Sequence, residues 1–351
     1  MSKIQKPYLY LMTQEAHSLS APSVGLLLHV LRQQGQDVGA ICQQVGLDMQ
    51  VVQDVNARIS VAMVQDLWDA AIAATSDPDL ALHVAEIINP TSMGTIAYVM
   101  MNAATLHESL LKLCKYQDIV CGAIQTSLEV QGQQAFIKLQ VVSPVLENPR
   151  NALDSELVIY KNAFSALVGQ PVLFNQVLFA YPRPASIKEH ERVFSGAELI
   201  FDAKSSGLVF DASYLELPIV TANPELNQLF EKYAEEYLQR LREPKTVRER
   251  VQREIAQLLK GEEPSINLVS RSLAMSVRSL QSRLKEEGVT YQALLDEVRK
   301  EIAIKHLQDN QQTITDIAYL LGFAEPSVFS RSFKRWTGMP PAAYRQRMAV
   351  A

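Results

Sequence analysis

Toward the end of the sequence, two short stretches about 50 residues apart gather side chains that hydrogen-bond heterocycle edges and anionic oxygens. Arg278, Gln281, Ser282 and Lys285 make up the first set, and Ser327, Arg331, Lys334 and Arg335, with the apolar Val328 among them, the second. At 3.6 residues per turn, each set shares one face of a helix. Arg and Gln carry paired groups that match the major-groove edges of guanine and adenine. Lys and Arg at the flanks of such a helix suit phosphate. The chemistry implied is recognition of a DNA groove rather than the making or breaking of bonds. On this reading Arg278, Gln281 and Ser282 face bases in one groove, and Ser327, Val328 and Arg331 face bases in the next. Lys285, Lys334 and Arg335 meet phosphate.

Faces of this kind need short helices on a common core. Ser265–Leu273 reads as a short helix, Ala274-Met275-Ser276 as a turn, and Val277–Glu287 as a helix capped by Ser276 and closed by Gly288. Leu268, Val269, Leu273, Leu280 and Leu284 are its inward residues. A long helix over Thr290–Gln308 follows, spanning roughly 28 Å. The pattern then recurs. Ile314–Leu321 is short and apolar on one face, and Gly322 stands where a turn needs a left-handed residue. Ser327–Thr337 turns Phe329, Phe333 and Trp336 inward and leaves Ser327, Ser330, Arg331, Lys334 and Arg335 to face out. Two helix-turn-helix units, 265–287 and 314–337, on one rigid connector can reach successive major grooves, whose repeat is roughly 34 Å. A further helix, Val247–Lys260 ended by Gly261, completes an all-α region over 247–348.

The earlier part of the chain has a different texture. Residues 19–122 are mostly helical, with apolar residues at three-to-four spacing in Ser60–Thr75 and Thr105–Val120. Ala123–Val130 and Gln134–Val142 form a hairpin about Gln131-Gly132-Gln133. A helix over Asp154–Val168 and strands over Pro171–Tyr181, Glu198–Phe201 and Gly207–Phe210 follow. The fold class is therefore an α+β domain over 19–241, helices plus a small antiparallel sheet, before the all-α domain. Pro224–Leu241 carries Leu226, Leu229, Phe230, Tyr233, Tyr237 and Leu241 on one stripe, which packs either on its own domain or on a second subunit. Arg242-Glu243-Pro244-Lys245 breaks the pattern and places a linker at 242–246.

The net charge of the 351 residues, −5, hides a split. From residue 244 onward, 17 Lys and Arg stand against 12 Asp and Glu; before it, 16 stand against 26. A basic module joined to an acidic one is the footprint of a nucleic-acid binder with a second function. Cys42, Cys114 and Cys121 have neither disulfide nor zinc spacing, and the expected compartment is a reducing cytoplasm. Cys114 and Cys121 lie seven positions apart and so share a face on a helix, with burial as their role. MSKIQKPYLY has no signal-peptide h-region, and no apolar run is long enough to span a membrane. No Gly-x-Gly-x-x-Gly, Walker A loop, Gly-x-Ser-x-Gly or His-Glu-x-x-His occurs, so an enzyme is the remote alternative. No metal site or cofactor is expected. Tyr98, Phe136, Phe164 and Phe179 are read as core, and no effector-binding residues are assigned.

The run from Thr315 to Phe323, the helix Pro326–Thr337 and the tail Gly338-Met339-Pro340-Pro341 with Tyr344-Arg345 resemble the second helix-turn-helix of AraC/XylS transcription regulators. The first unit departs from the family pattern at three places. Ser270 and Ala274 stand where Ala and Gly are usual, and Ser282 where Arg is frequent. Met93-Gly94-Thr95-Ile96-Ala97-Tyr98, Thr105–Leu110 and Tyr116 resemble a subgroup with an arabinose-binding-like N-terminal domain, which includes ornithine-utilisation regulators. The resemblance implies a sequence-specific regulator switched by a small molecule in its first domain. The implied partners are double-stranded promoter DNA, a small-molecule effector, RNA polymerase and a second copy of the chain. Control by a protein partner or by expression level, with no small effector, is the alternative.

Overall fold

The computed structural model describes residues 17–88, 93–259, 264–308 and 312–350. They form two compact units that divide after Leu241.

The first unit opens with β1 (Ser18–Ser20), α1 (Ala21–Gln33), α2 (Val38–Gln44), α3 (Met49–Gln53), β2 (Arg58–Ser60), α4 (Val61–Thr75) and α5 (Leu80–Ile87). The Ser60 hydroxyl accepts the Met63 N–H and starts α4. Val64, Leu67, Trp68 and Ala71 of α4 then bury against Val24, Leu27, Leu28 and Leu31 of α1. Arg58 fixes the β1–β2 pair by donating to Ser18 O and Oγ and to Ile119 O at 2.7–2.8 Å.

Next come α6 (Thr95–Met101), α7 (Leu106–Tyr116), β3 (Ile124–Gln131), β4 (Gln134–Val141), α8 (Arg150–Val168), β5 (Phe174–Leu178), α9 (Lys188–Val193), β6 (Glu198–Ile200), β7 (Ser206–Asp211) and α10 (Pro224–Leu241). The sheet order is β3-β4-β7-β5-β6. Every pairing is antiparallel except β5–β6. The sheet is antiparallel as expected apart from that one parallel edge. The chain between β5 and β6 carries α9, which returns it to run in the same direction. Gly207 lets β7 lie close to β4, since a Cβ there would stand 2.4 Å from the Ile137 carbonyl. Phe164 of α8 packs edge-on to Phe210 at 5.9 Å and joins the helix to the sheet.

One local expectation differs from the structure. The α7 helix stops at Tyr116 and a 3₁₀ turn carries the chain on, so Cys114 and Cys121 share no helical face. Burial does hold for Cys121, with Cys114 half-buried. Desolvation pushes the Cys114 thiol up to about 11 and the Cys121 thiol to about 12, so neither is a nucleophile at neutral pH. In α10 the buried face is Asn227, Ala234, Leu238 and Leu241, while Leu226, Leu229 and Tyr233 remain exposed. The face is turned by polar anchors: Lys112 Nζ donates to Asn227 Oδ1, and Asn227 Nδ2 donates to Val99 O at 3.2 Å.

The second unit holds α11 (Val247–Leu258), α12 (Ile266–Ser272), α13 (Val277–Glu286), α14 (Tyr291–Gln308), α15 (Ile314–Leu320), α16 (Pro326–Thr337) and α17 (Pro341–Val350). A capping box between Thr246 and Glu249 begins α11. One core runs through it, from Val251 and Ile255 through Leu280, Leu284, Leu295 and Val298 to Ile317, Phe329 and Phe333. Leu268 is a correction, being 49% exposed. Val269 and Ser270 take the buried face of α12, and a neighbour one position back lies about 100° round the helix. The expected stop at Gly261 lies outside the described residues.

Candidate nucleic-acid interface

Each of the helices α13 and α16 is positioned by the turn before it. In the first unit the Ser265 hydroxyl accepts the Leu268 N–H at 3.3 Å and starts α12. The chain leaves α12 through Ala274 at φ 54°, a left-handed conformation that disfavours any Cβ. Ser276 then caps α13 by accepting the Ser279 N–H at 3.1 Å. In the second unit a capping box of Thr313 and Asp316 starts α15, and Gly322 at φ 73° makes the turn. Pro326 opens α16 and Gly338 at φ 81° closes it. The backbone bonds repeat: Met275 N to Ser270 O at 2.8 Å, and Phe323 N to Ala318 O at 3.1 Å. The two turns are one device used twice, 48 residues apart. The buried Ser270 hydroxyl donates to Asn267 O at 3.1 Å, which satisfies it at a position suited to alanine.

Leu280 and Leu284 hold α13 in the core, and Arg278, Gln281, Ser282 and Lys285 are exposed on its other side. Phe329 and Phe333 hold α16, leaving Ser327, Val328, Arg331, Lys334 and Arg335 exposed while Ser330 is half-buried. By helical phase each exposed set falls within about a third of a turn. Among the described residues the side chains of Arg278, Gln281, Lys285, Arg331 and Lys334 have no hydrogen-bond or ion-pair partner in the protein. Three of the nine have one. Arg335 pairs with Asp296 at 2.9 Å, Ser327 Oγ donates to Glu325 Oε2 at 3.1 Å, and Ser282 Oγ to Glu286 Oε1 at 3.4 Å.

One positioning residue escaped the sequence reading. Arg299 of α14 is 4% exposed; its Nε donates to Leu321 O at 3.0 Å and its guanidinium lies 4.4 Å from the Phe323 ring centre. It thus caps the C-terminus of α15 and clamps the second turn to the connector helix. The signal in sequence was an Arg between Val298 and Ile302 on the apolar side of α14.

Within the first unit, α1, α4, α5, α7 and α8 enclose a cavity of about 320 Å³, walled by Leu27, Val64, Trp68, Leu113 and Tyr160 among others. Glu156 of α8 lines it, and burial pushes its carboxyl up to about 7 against the opposing effect of the Tyr160 hydrogen bond. Sequence inspection could have noticed an acid set among Leu153, Leu157, Tyr160 and Phe164. Tyr98, Phe136, Phe164 and Phe179 are not part of this wall. Phe164 and Phe179 are fully buried, whereas Tyr98 stacks on Phe230 at the surface.

A group that resembles catalytic machinery lies elsewhere. Tyr181 Oη donates to Asp154 Oδ1 and lies 3.2 Å from His190 Nε2. Asp154 and His190 are at most 1% exposed, ringed by Phe179, Phe201 and Arg150. Neither residue lines a described cavity, so the group serves as a buried polar tie between α8 and α9. Among the described residues no cluster of three side chains fits a metal, and no helix is long and apolar enough to cross a membrane.

The chain matches two family models. Residues 35–219 match the arabinose-binding domain of AraC transcription regulators, N-terminal, and residues 269–347 match a helix-turn-helix domain. The ornithine utilization regulator of Pseudomonas aeruginosa is 29% identical over 320 residues, 91% of this chain and 94% of that one. The HTH-type transcriptional regulator VirS of Mycobacterium tuberculosis is 24% identical over 318 residues, 90% of this chain and 93% of that one. Among solved structures, the transcriptional regulator CdpR of Pseudomonas aeruginosa aligns with TM-score 0.43 and 21% identity, covering 81% of this chain and 91% of that one.

Proposed function

This chain belongs to the AraC family of DNA-binding transcription regulators, and from that premise we propose that α13 and α16 read two successive major grooves of promoter DNA. The observation that carries this is the pair of exposed polar faces built on one continuous core. Arg278, Gln281 and Ser282 meet base edges in one groove, and Ser327, Val328 and Arg331 in the next. Lys285 and Lys334 meet phosphate. Arg335 does so after exchanging Asp296 for a phosphate oxygen. The connector α14, 18 residues or about 27 Å long, suits the groove repeat of roughly 34 Å.

The unit up to Leu241 is the regulatory domain, residues 242–246 are the linker and 247–348 grip DNA. Support for a small effector comes from the cavity of about 320 Å³, inside the range of small-molecule sites. A ligand that fits one arrangement of the regulatory domain better than another shifts the balance between them, and with it contact to RNA polymerase. A second copy of the chain docks on the exposed Leu226, Leu229 and Tyr233 of α10.

Selection of random duplexes by the purified full-length chain tests the DNA reading. The expected motif has two short conserved blocks one helical turn apart. A single block, or no enriched sequence, overturns the two-groove arrangement.

A further inference from the structure

The cavity in the first unit has a chemical character that narrows its ligand. Its wall is mainly aliphatic and aromatic: Leu27, Val64, Trp68, Ile96, Leu113 and Ile124 all line it. Four carboxylates also line it, Asp66, Asp69, Glu147 and Glu156, and no Lys, Arg or His does so among the described residues. Asp66, Asp69 and Glu147 are exposed, which puts them at the mouth. Glu156 belongs to the interior.

Among the described residues the only hydrogen bond to the Glu156 carboxylate comes from Tyr160 Oη, long at 3.4 Å, and no basic side chain pairs with it. A carboxylate in an apolar site without a cation is costly, and it holds its proton for that reason. An anionic ligand would meet repulsion at the mouth and inside. An apolar molecule with one ammonium group meets no such repulsion. Its charge supplies what Glu156 lacks, and Trp68 offers a face that tolerates a cation.

We propose that this cavity binds a small amphipathic amine, with its apolar body against the Leu27, Trp68 and Leu113 wall and its ammonium group on the Glu156 carboxylate. The proposal rests on the reading that the first unit senses a small molecule, and it names the class of that molecule. Proton and amine compete for the same oxygens, so affinity rises with pH through the neutral range. The titratable groups that face Glu156 are Tyr160 on its own helix and Cys121 beside it, with Asp66, Asp69 and Glu147 at the mouth. Cys121 and Tyr160 are held protonated by burial throughout that range.

The test is calorimetric titration of the full-length chain with hexylamine, hexanol and hexanoate at pH 6 and pH 8. At pH 8 hexylamine binds at least about tenfold tighter than hexanol, and hexanoate binds most weakly. At pH 6 the affinity for hexylamine falls by about tenfold, because Glu156 is then mostly protonated. Glu156→Gln brings hexylamine down to the level of hexanol and leaves hexanol unchanged, which shows the cavity intact. If hexanol binding is lost as well, Glu156→Asp decides: a retained preference for the amine supports the proposal, and a lost one overturns it. Equal binding of the three probes, or preference for hexanoate, overturns the amine class and leaves the effector reading standing. Binding of none of them overturns both.

Discussion

Replacing Arg299 by Met tests whether the second turn is held from the connector helix. The substitution removes a charge-assisted hydrogen bond at 3.0 Å to Leu321 O and a weaker one at 3.5 Å to Gly322 O. It also removes a guanidinium 4.4 Å from the Phe323 ring. A hydrogen bond from a charged group contributes about 1.5–3 kcal/mol. A desolvated cation–π contact adds about 2 kcal/mol. Methionine keeps the volume and recovers about 1 kcal/mol of apolar burial. The expected net loss is about 3 kcal/mol. For a unit of about 100 residues that lowers Tm by more than about 10 °C. Trp336, 6.2 Å from the Phe323 ring, reports the local unfolding in a Trp68→Phe background by its fluorescence in urea. Because Gly322 and Phe323 set the approach to α16, specific DNA binding should fall further than non-specific binding. Arg299→Lys keeps the charge without the fork and should recover less than half of the loss. A Met variant within about 1 kcal/mol of the parent would refute the clamp, since the hydrogen bond alone exceeds that.

Arg331→Ala should cost about 1–3 kcal/mol at one base position and relax its preference, whereas Lys334→Ala should weaken all duplexes alike and lower the salt slope by about one; mobility shifts over a salt series separate the two, and an unchanged specific-to-random ratio for Arg331→Ala removes it from the base readers. Ala274→Gly relieves a left-handed alanine at about 1–2 kcal/mol and loosens the unfolded chain by about 0.4–1 kcal/mol, so urea melts should show a net gain of about 0.5–1 kcal/mol; a loss would mean that the turn tolerates its Cβ without strain. His83 bridges Asp77 at 2.6 Å and Glu189 at 3.0 Å; partial burial opposes its charge, but the two carboxylates outweigh burial and raise its pKa. Its contribution is full below the ordinary histidine value and fades as pH rises through the raised one, so the stability gap between the parent and His83→Ala should be wider at pH 5.5 than at pH 8.5, and the reverse order would contradict the bridge. Leu229→Glu with Tyr233→Glu should shift sedimentation toward monomer; an unchanged oligomeric state takes α10 out of the interface.

What could be read from the sequence was what short-range rules decide. Ser276 as a cap and Gly322 as a left-handed turn depend on residues within four positions, and both stand where the pattern put them. The hairpin about Gly132 is equally local. The α+β class followed from the change of hydrophobic period, and the parallel β6 edge did not, because strand direction depends on how the intervening chain packs. Sequence left the packing of α10 open, on its own domain or on a second subunit, for a similar reason. Leu226, Leu229 and Tyr233 carry the apolar signal, but Asn227 is the residue that finds partners, in Lys112 and Val99 from distant helices. Leu268 shows the same limit in a helix of only 7 residues, too short for its period to fix a face. Glu156 and Arg299 left no more signal than a charge on an apolar helix face, because the partners of each are brought together only by folding.

The two turns at Ala274 and Gly322 have a consequence for how a promoter is addressed. A symmetric dimer of single readers sees the same word from both ends and cannot tell upstream from downstream. On the reading proposed above, one chain carries two unlike readers, Arg278-x-x-Gln281-Ser282 and Ser327-Val328-x-x-Arg331, in a fixed order along one connector. Once either helix engages, the other is presented to its groove at an effective concentration on the order of millimolar or more, so a weak half still counts. On that reading the pair gives the protein a heading on DNA. Reversing the order of the two words, with both left intact, should abolish tight binding as surely as deleting one.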